Sequence, residues 1–85
     1  MAPAVVSSSR SDSRLLLAMI DIVYNGEPRQ IDETTTISEL LRQSGVAERL
    51  CAVELNESVL PKPLYALTQL QGGDKVEVVT FVGGG

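Results

Sequence analysis

One dipeptide, Asn25-Gly26, constrains this chain more than any other feature. Before it, Ile20, Ile22 and Tyr24 alternate with Asp21, Val23 and Asn25, the period of two that marks a strand. Asn-Gly accepts the positive φ angles that both central positions of a type I′ turn require, so the chain is expected to double back as a hairpin. The return strand is expected over Glu27 to Asp32. Pro28 has no amide hydrogen to donate and confines that strand to a sheet edge.

The rest of the chain supplies one helix and further strands. Thr36 stands three residues before Glu39, the spacing of a capping box. Ile37, Leu40, Leu41 and Ser44 then fall at i, i+3, i+4 and i+7, which predicts a helix over Ile37 to Ser44. Gly45 is placed to end it in the left-handed region. Cys51, Val53 and Leu55 alternate with Ala52, Glu54 and Asn56 as another strand, followed by an extended piece around Val59. Beyond Pro61, a single helical turn over Pro63 to Leu67 is expected, with proline at its first position. Gln71-Gly72-Gly73-Asp74 is a turn. Lys75 to Val82 is the strongest strand, with Val76, Val78 and Thr80 on one face and Glu77, Val79 and Phe81 on the other.

This β-β-α-β-turn-β order predicts an α+β fold of the β-grasp (ubiquitin-like) kind. It has a mixed sheet of four to five strands, first and last strands adjacent and parallel, and one main helix packing Ile37, Leu40 and Leu41 on one face. The 85 residues suffice for one small domain, and 44% apolar with 21% charged residues suits a folded chain. Aromatic residues are 4% with no Trp, so the core must be built from Val, Ile, Leu and Ala.

Two segments are distinguished: residues 1–18 as a flexible N-terminal extension and residues 19–85 as the domain. Residues 1–14 are rich in Ser and Ala and have no periodic apolar face. The apolar run Leu15 to Ile20 is six residues, against roughly 20 needed to span a bilayer, so no membrane association is expected. A cytoplasmic location is the expectation. The Ser- and Arg-rich, acid-poor start leaves organellar targeting open beside a dispensable extension.

Composition also narrows the chemistry. A single Cys excludes an intramolecular disulfide framework, and with no His it argues against a zinc site held within one chain. The absence of His removes the commonest general base. Seven basic against eleven acidic residues leave a net charge of −4, which argues against nucleic acid as a partner. The extension carries Arg10 and Arg14 against Asp12, so the domain itself is the acidic part and suits a partner with a basic surface.

What remains is the end of the chain. Gly83-Gly84-Gly85 directly follows the strongest strand. Glycine lacks a side chain, so such a tail can thread a channel too narrow for any Cβ. Its α-carboxylate is an anion at neutral pH and reacts only when a partner turns one oxygen into a leaving group, as acyl-adenylation does. A flexible linker end is the plain alternative.

The stretches Tyr24-Asn25-Gly26-Glu27, Ala52-Val53-Glu54-Leu55-Asn56, Val59-Leu60-Pro61-Lys62 with Tyr65, Gly73-Asp74-Lys75-Val76-Glu77-Val78-Val79 and Phe81-Val82-Gly83-Gly84-Gly85 together resemble the ThiS family of ubiquitin-like sulfur carriers of thiamine biosynthesis. The resemblance covers about Met19 to Gly85; the extension departs from the compact family pattern. It implies that a ThiF-type enzyme adenylates the Gly85 carboxylate, with Gly83 and Gly84 threading the partner's channel. Sulfur from a cysteine desulfurase-derived persulfide then displaces AMP and leaves a thiocarboxylate, which thiazole synthase uses. ATP and magnesium belong to the activating partner; this chain binds no cofactor, supplies no catalytic side chain and is a carrier rather than an enzyme. A MoaD-like carrier for molybdopterin synthesis and a ubiquitin-like protein modifier are the alternatives.

Other residues are weighed on their placement. Cys51 shares a strand face with Val53 and Leu55 and is expected to be a small buried hydrophobe rather than a persulfide relay. Tyr65 is expected to pack beneath the proline-bounded turn, and Asp74 and Lys75 to serve the turn and strand start. Val79, Phe81 and Val82 are candidate docking residues beside the tail, since Val79 and Phe81 lie on the face away from the helix.

Overall fold

The computed structural model describes residues 19–81. Five strands form one sheet: β1 (Met19–Tyr24), β2 (Glu27–Asp32), β3 (Cys51–Leu55), β4 (Ser58–Leu60) and β5 (Lys75–Thr80). Their spatial order is β2-β1-β5-β3-β4, so the last strand in sequence is the central one. β1 and β5 run parallel, and the other neighbours are antiparallel. This is the β-grasp arrangement, with one α-helix among the described residues, α1 (Ile37–Gln43), covering one face. Short 310 turns occupy Glu48–Leu50 and Lys62–Leu64.

The hairpin forms where Asn-Gly places it. Asn25 and Gly26 have φ angles of 51° and 85°, and β1 pairs with β2 from Tyr24↔Glu27 to Met19↔Asp32. Pro28 lies on the edge strand, where its missing donor costs no ladder bond. Asn25 also acts far from its turn. Its amide donates to the Val76 carbonyl at 2.8 Å, and its side-chain oxygen accepts from the Val78 amide at 2.7 Å. The register of β1 with β5 covers Val23↔Lys75 and Tyr24↔Val76, and Asn25 prolongs the join toward Val78.

Helix α1 begins as the capping box requires. Thr36 Oγ1 accepts from the Glu39 amide while Glu39 Oε1 accepts from the Thr36 amide, both at 3.2 Å. Such a cap is worth about 1 kcal/mol. The helix ends at Gln43, one residue before the expected end. Ser44 is its C-cap, because its hydroxyl and amide both turn back to the Leu40 carbonyl, and Gly45 follows at φ 76°.

Ile37, Leu40 and Leu41 are fully buried against Ile22, Ile31, Val53, Val76 and Val78. Burial of each such side chain contributes about 1.5–3 kcal/mol. Cys51 belongs to this core, as its strand face predicts. Tyr65 is buried as well, and the carbonyls of Tyr65 and Thr68 accept the first helical amides, Ser38 and Ile37, at 3.1 and 3.0 Å. The helix N-terminus is thereby fastened to the segment that follows β4.

Two further boundaries differ from the sequence expectation. The helical turn after β4 begins at Lys62, one residue early, with Pro61 as its cap. β5 ends at Thr80, not Val82, because its partner β3 begins at Cys51, which pairs with Thr80. A second tight hairpin joins β3 to β4 at Asn56-Glu57, both at positive φ. The extension, residues 1–18, lies outside the described residues.

Candidate functional site

The end of β5 leads to the candidate site, the C-terminal glycines. Three residues separate Phe81 from Gly85 in sequence. Val82, Gly83, Gly84 and Gly85 lie outside the described residues, so the structure defines the base of the candidate tail. That base is fixed from several sides. Thr80 pairs with Cys51, and the Phe81 amide donates to the Leu50 carbonyl at 2.7 Å.

The start of β5 is fixed too. Asn56 accepts from the Lys75 amide at 2.9 Å, and its own amide donates to the Lys75 carbonyl at 2.8 Å. Asn56 Nδ2 donates to Asp74 Oδ1 at 3.0 Å, while Asp74 Oδ2 accepts from the Gln71 amide at 2.8 Å. Asp74 and Lys75 therefore serve the turn and strand start, as their position predicts. Lys75 also pairs with Glu57 at 3.0 Å, which raises the ammonium above its ordinary pKa through the hydrogen bond and charge of Glu57.

The two faces of β5 differ. Val76 and Val78 are buried under the helix, whereas Val79 is 61% and Phe81 53% exposed. Val79 lies opposite Ala52, and Val59, 73% exposed, lies opposite Glu54. An apolar strip thus runs across β4, β3 and β5 on the face away from α1, beside the tail's base. Val79 and Phe81 stand where the sequence puts them; Val59 joins them, which strand alternation in so short a β4 does not reveal. Acidic side chains of Glu54 and Glu77 adjoin the strip and are exposed.

Among the described residues, no side chain near the base is set up as a nucleophile. Cys51 is fully buried, its Sγ directed to the Glu48 carbonyl at 3.6 Å, and burial pushes its thiol above the ordinary pKa although Lys62 pulls the other way. Tyr65 is raised likewise, first by burial. Among the described residues, no group of three or more His, Cys, Asp or Glu could hold a metal ion. A cleft of about 340 Å³, lined by Ile20, Glu33, Gln69, Leu70, Gln71 and Gly72, lies at the other end of β5 from Phe81. Among the described residues no helix is long and apolar enough to cross a membrane.

Sequence reasoning missed Lys62. Its ammonium donates to the Cys51 carbonyl at 2.7 Å and lies 5.9 and 5.8 Å from the ring centroids of Tyr65 and Phe81. A lysine between two prolines carries no local signal of such a role.

Comparison with known proteins bears on this site. Residues 22–85 match the model of the ThiS family. The chain is 44% identical over 64 residues to a thiazole synthase of Paramagnetospirillum magneticum, covering 75% of this chain and 20% of that protein. The chain thus spans about a fifth of the length of such relatives. It is 36% identical over 53 residues to the sulfur carrier protein ThiS of Bacillus subtilis, covering 62% of this chain and 80% of that one. The crystal structure of the thiamine biosynthesis protein (ThiS) from Geobacter metallireducens superposes with a TM-score of 0.66 at 36% identity, covering 78% of this chain and 100% of that one.

Proposed function

The chain belongs to the ThiS family, and from that premise we propose that it is a sulfur carrier whose C-terminal Gly85 carboxylate is adenylated and converted to a thiocarboxylate for thiazole formation. The observation that carries the reading is the placement of β5. The central strand, hydrogen-bonded on both sides, ends at Thr80, five residues before Gly85. A rigid strand whose chain ends, after Phe81 and Val82, in three residues without Cβ atoms suits delivery of a carboxylate into a narrow channel.

The chemistry follows from the carboxylate. It must first exchange an oxygen for a better leaving group, which an ATP- and magnesium-dependent, ThiF-type partner supplies by forming an acyl-adenylate with release of pyrophosphate. A persulfide derived from a cysteine desulfurase then displaces AMP, and a thiol cleaves the resulting acyl disulfide to leave the thiocarboxylate. Thiazole synthase is the acceptor of that sulfur; relatives that carry this domain within a longer chain named thiazole synthase support the pairing. Val79, Phe81 and Val82 form the docking patch on this reading, joined by Val59, with Glu54 and Glu77 meeting basic side chains of the partner. The carrier works in the cytoplasm, where its ATP-dependent partner works, unless residues 1–18 direct it to an organelle.

Incubation with the activating enzyme, ATP and a sulfur source tests the proposal by intact-mass analysis. The carrier gains the mass of one sulfur in place of one oxygen, on the C-terminal peptide, and the gain requires ATP. Removal of Gly84 and Gly85 abolishes it and leaves the domain folded. Sulfur on Cys51 with an unmodified terminus overturns the reading.

A further inference from the structure

At Lys62 the chain abandons strand pairing. The β3–β4 register runs from Leu55↔Ser58 to Val53↔Leu60, and two further steps would set Lys62 opposite Cys51. Pro61 and the turn at Lys62–Leu64 carry the backbone away instead. The Lys62 side chain reaches back and its ammonium donates to the Cys51 carbonyl at 2.7 Å.

Cys51 pairs with Thr80, so this contact lies at the last rung of β5. The same ammonium lies 5.8 Å from the Phe81 ring centroid and 5.9 Å from that of Tyr65, within the roughly 6 Å over which a cation is held by a ring face. Tyr65 is locked in the core at 1% exposure. Phe81 is half exposed, and its amide donates to the Leu50 carbonyl. An ammonium is compact and carries three donors, so its bond to one carbonyl leaves its charge close to both rings.

We propose that Lys62 is a positioning residue for the reactive terminus: its ammonium, fixed by the Cys51 carbonyl and the buried Tyr65 ring, holds the Phe81 ring and so sets the direction in which the chain leaves β5. The inference rests on the sulfur-carrier reading, because a tail that must enter a partner's channel gains from a fixed point of departure. Ordering that point in the free protein removes part of the entropy lost on docking. Removing the ammonium therefore weakens engagement of the tail without altering the chemistry once the tail is seated.

The test combines kinetics with a measurement on the isolated chain. ATP-dependent activation is followed against carrier concentration for wild type, Lys62→Met, Lys62→Arg, Phe81→Leu and the Lys62→Met/Phe81→Leu double variant. Lys62→Met raises KM about fivefold at unchanged kcat, and Lys62→Arg restores most of the loss. In the Phe81→Leu background Lys62→Met has no further effect, because the ring it acts through is gone. A wild-type KM for Lys62→Met overturns the proposal. So does an equal KM increase in both backgrounds, which would mean that Lys62 touches the partner directly. In the isolated chain, Lys62→Met shifts the Phe81 ring resonances and lowers the Phe81 backbone order parameter; no change in either overturns the proposal. A wild-type chain that is never activated defeats the sulfur-carrier reading, while the Phe81 resonances still decide whether Lys62 holds the ring.

Discussion

Glu54 and Glu77 stand directly opposite each other across β3 and β5, both exposed on the sheet face that α1 leaves open. Like charges in that position repel, and Lys75, two residues from Glu77 on the same face, makes its direct contact with Glu57 and feels Glu77 and Glu54 only as weaker charges. Glu77→Gln should raise stability by about 0.5 kcal/mol, or about 2–4 °C in Tm, read by thermal unfolding. The same variant should associate more slowly with the activating enzyme, and the difference should shrink as salt is added. Unchanged association at low salt would remove Glu77 from the docking surface.

The β3–β4 turn offers a second stability test. Glu57 has φ 72°, a left-handed conformation that glycine adopts freely and that costs other residues about 1–2 kcal/mol. Glu57→Gly creates the Asn-Gly pair already found at residues 25 and 26. Loss of the exposed Lys75 ion pair and the greater freedom of unfolded glycine offset part of the gain. A net increase of about 0.5 kcal/mol is expected, measured by denaturant unfolding.

These two turns show where sequence reading succeeds and where it stops. Asn25-Gly26 and the Thr36–Glu39 box are legible because each motif satisfies its own backbone within a few residues. Glu57 in a glycine position is not, since its conformation is held by Asn56 clamping Lys75, nearly twenty residues away. The candidate site divides in the same way. Alternation along β5 places Val79 and Phe81 outward, but Lys62 reaches the base of the tail through a tertiary contact that no periodicity encodes. The end of β5 at Thr80 likewise depends on where its partner begins, not on its own β-branched run.

Stability toward alkali should reflect three groups. Burial raises the Cys51 thiol and the Tyr65 phenol above their ordinary values of 9.0 and 10.0, and Glu57 raises the Lys75 ammonium above its ordinary 10.5. In each case the folded state holds the proton more tightly than the unfolded state. Their contribution is fully present below the unfolded pKa and is lost as pH rises through the folded value. Tm should therefore begin to fall above about pH 9, the unfolded range of Cys51. Cys51→Ala should lower Tm at pH 7 through lost packing and flatten the first part of the alkaline decline. An unaltered slope in that variant would show that Cys51 does not contribute.

Gly84→Val addresses the tail. It adds a β-branched side chain four residues beyond the end of β5, so Tm should stay at the wild-type value. Activation should fall by about tenfold or more if the channel admits no Cβ. Activation at the wild-type rate would show that the partner does not enclose this residue.

The central place of β5 also bears on how the protein is made. On the ribosome the two hairpins, β1–β2 and β3–β4, emerge before the strand that joins them, and an isolated two-stranded hairpin is marginal in water. The sheet closes only after β5 inserts between them, pairing Tyr24 with Val76 across more than fifty residues of chain. The base of the tail, built from the Thr80–Cys51 rung and the Phe81–Leu50 bond, exists only once that insertion is complete. A nascent or damaged chain has its glycines on an unanchored strand, so on the proposed function a partner that required the anchored form would select finished chains without a separate inspection step.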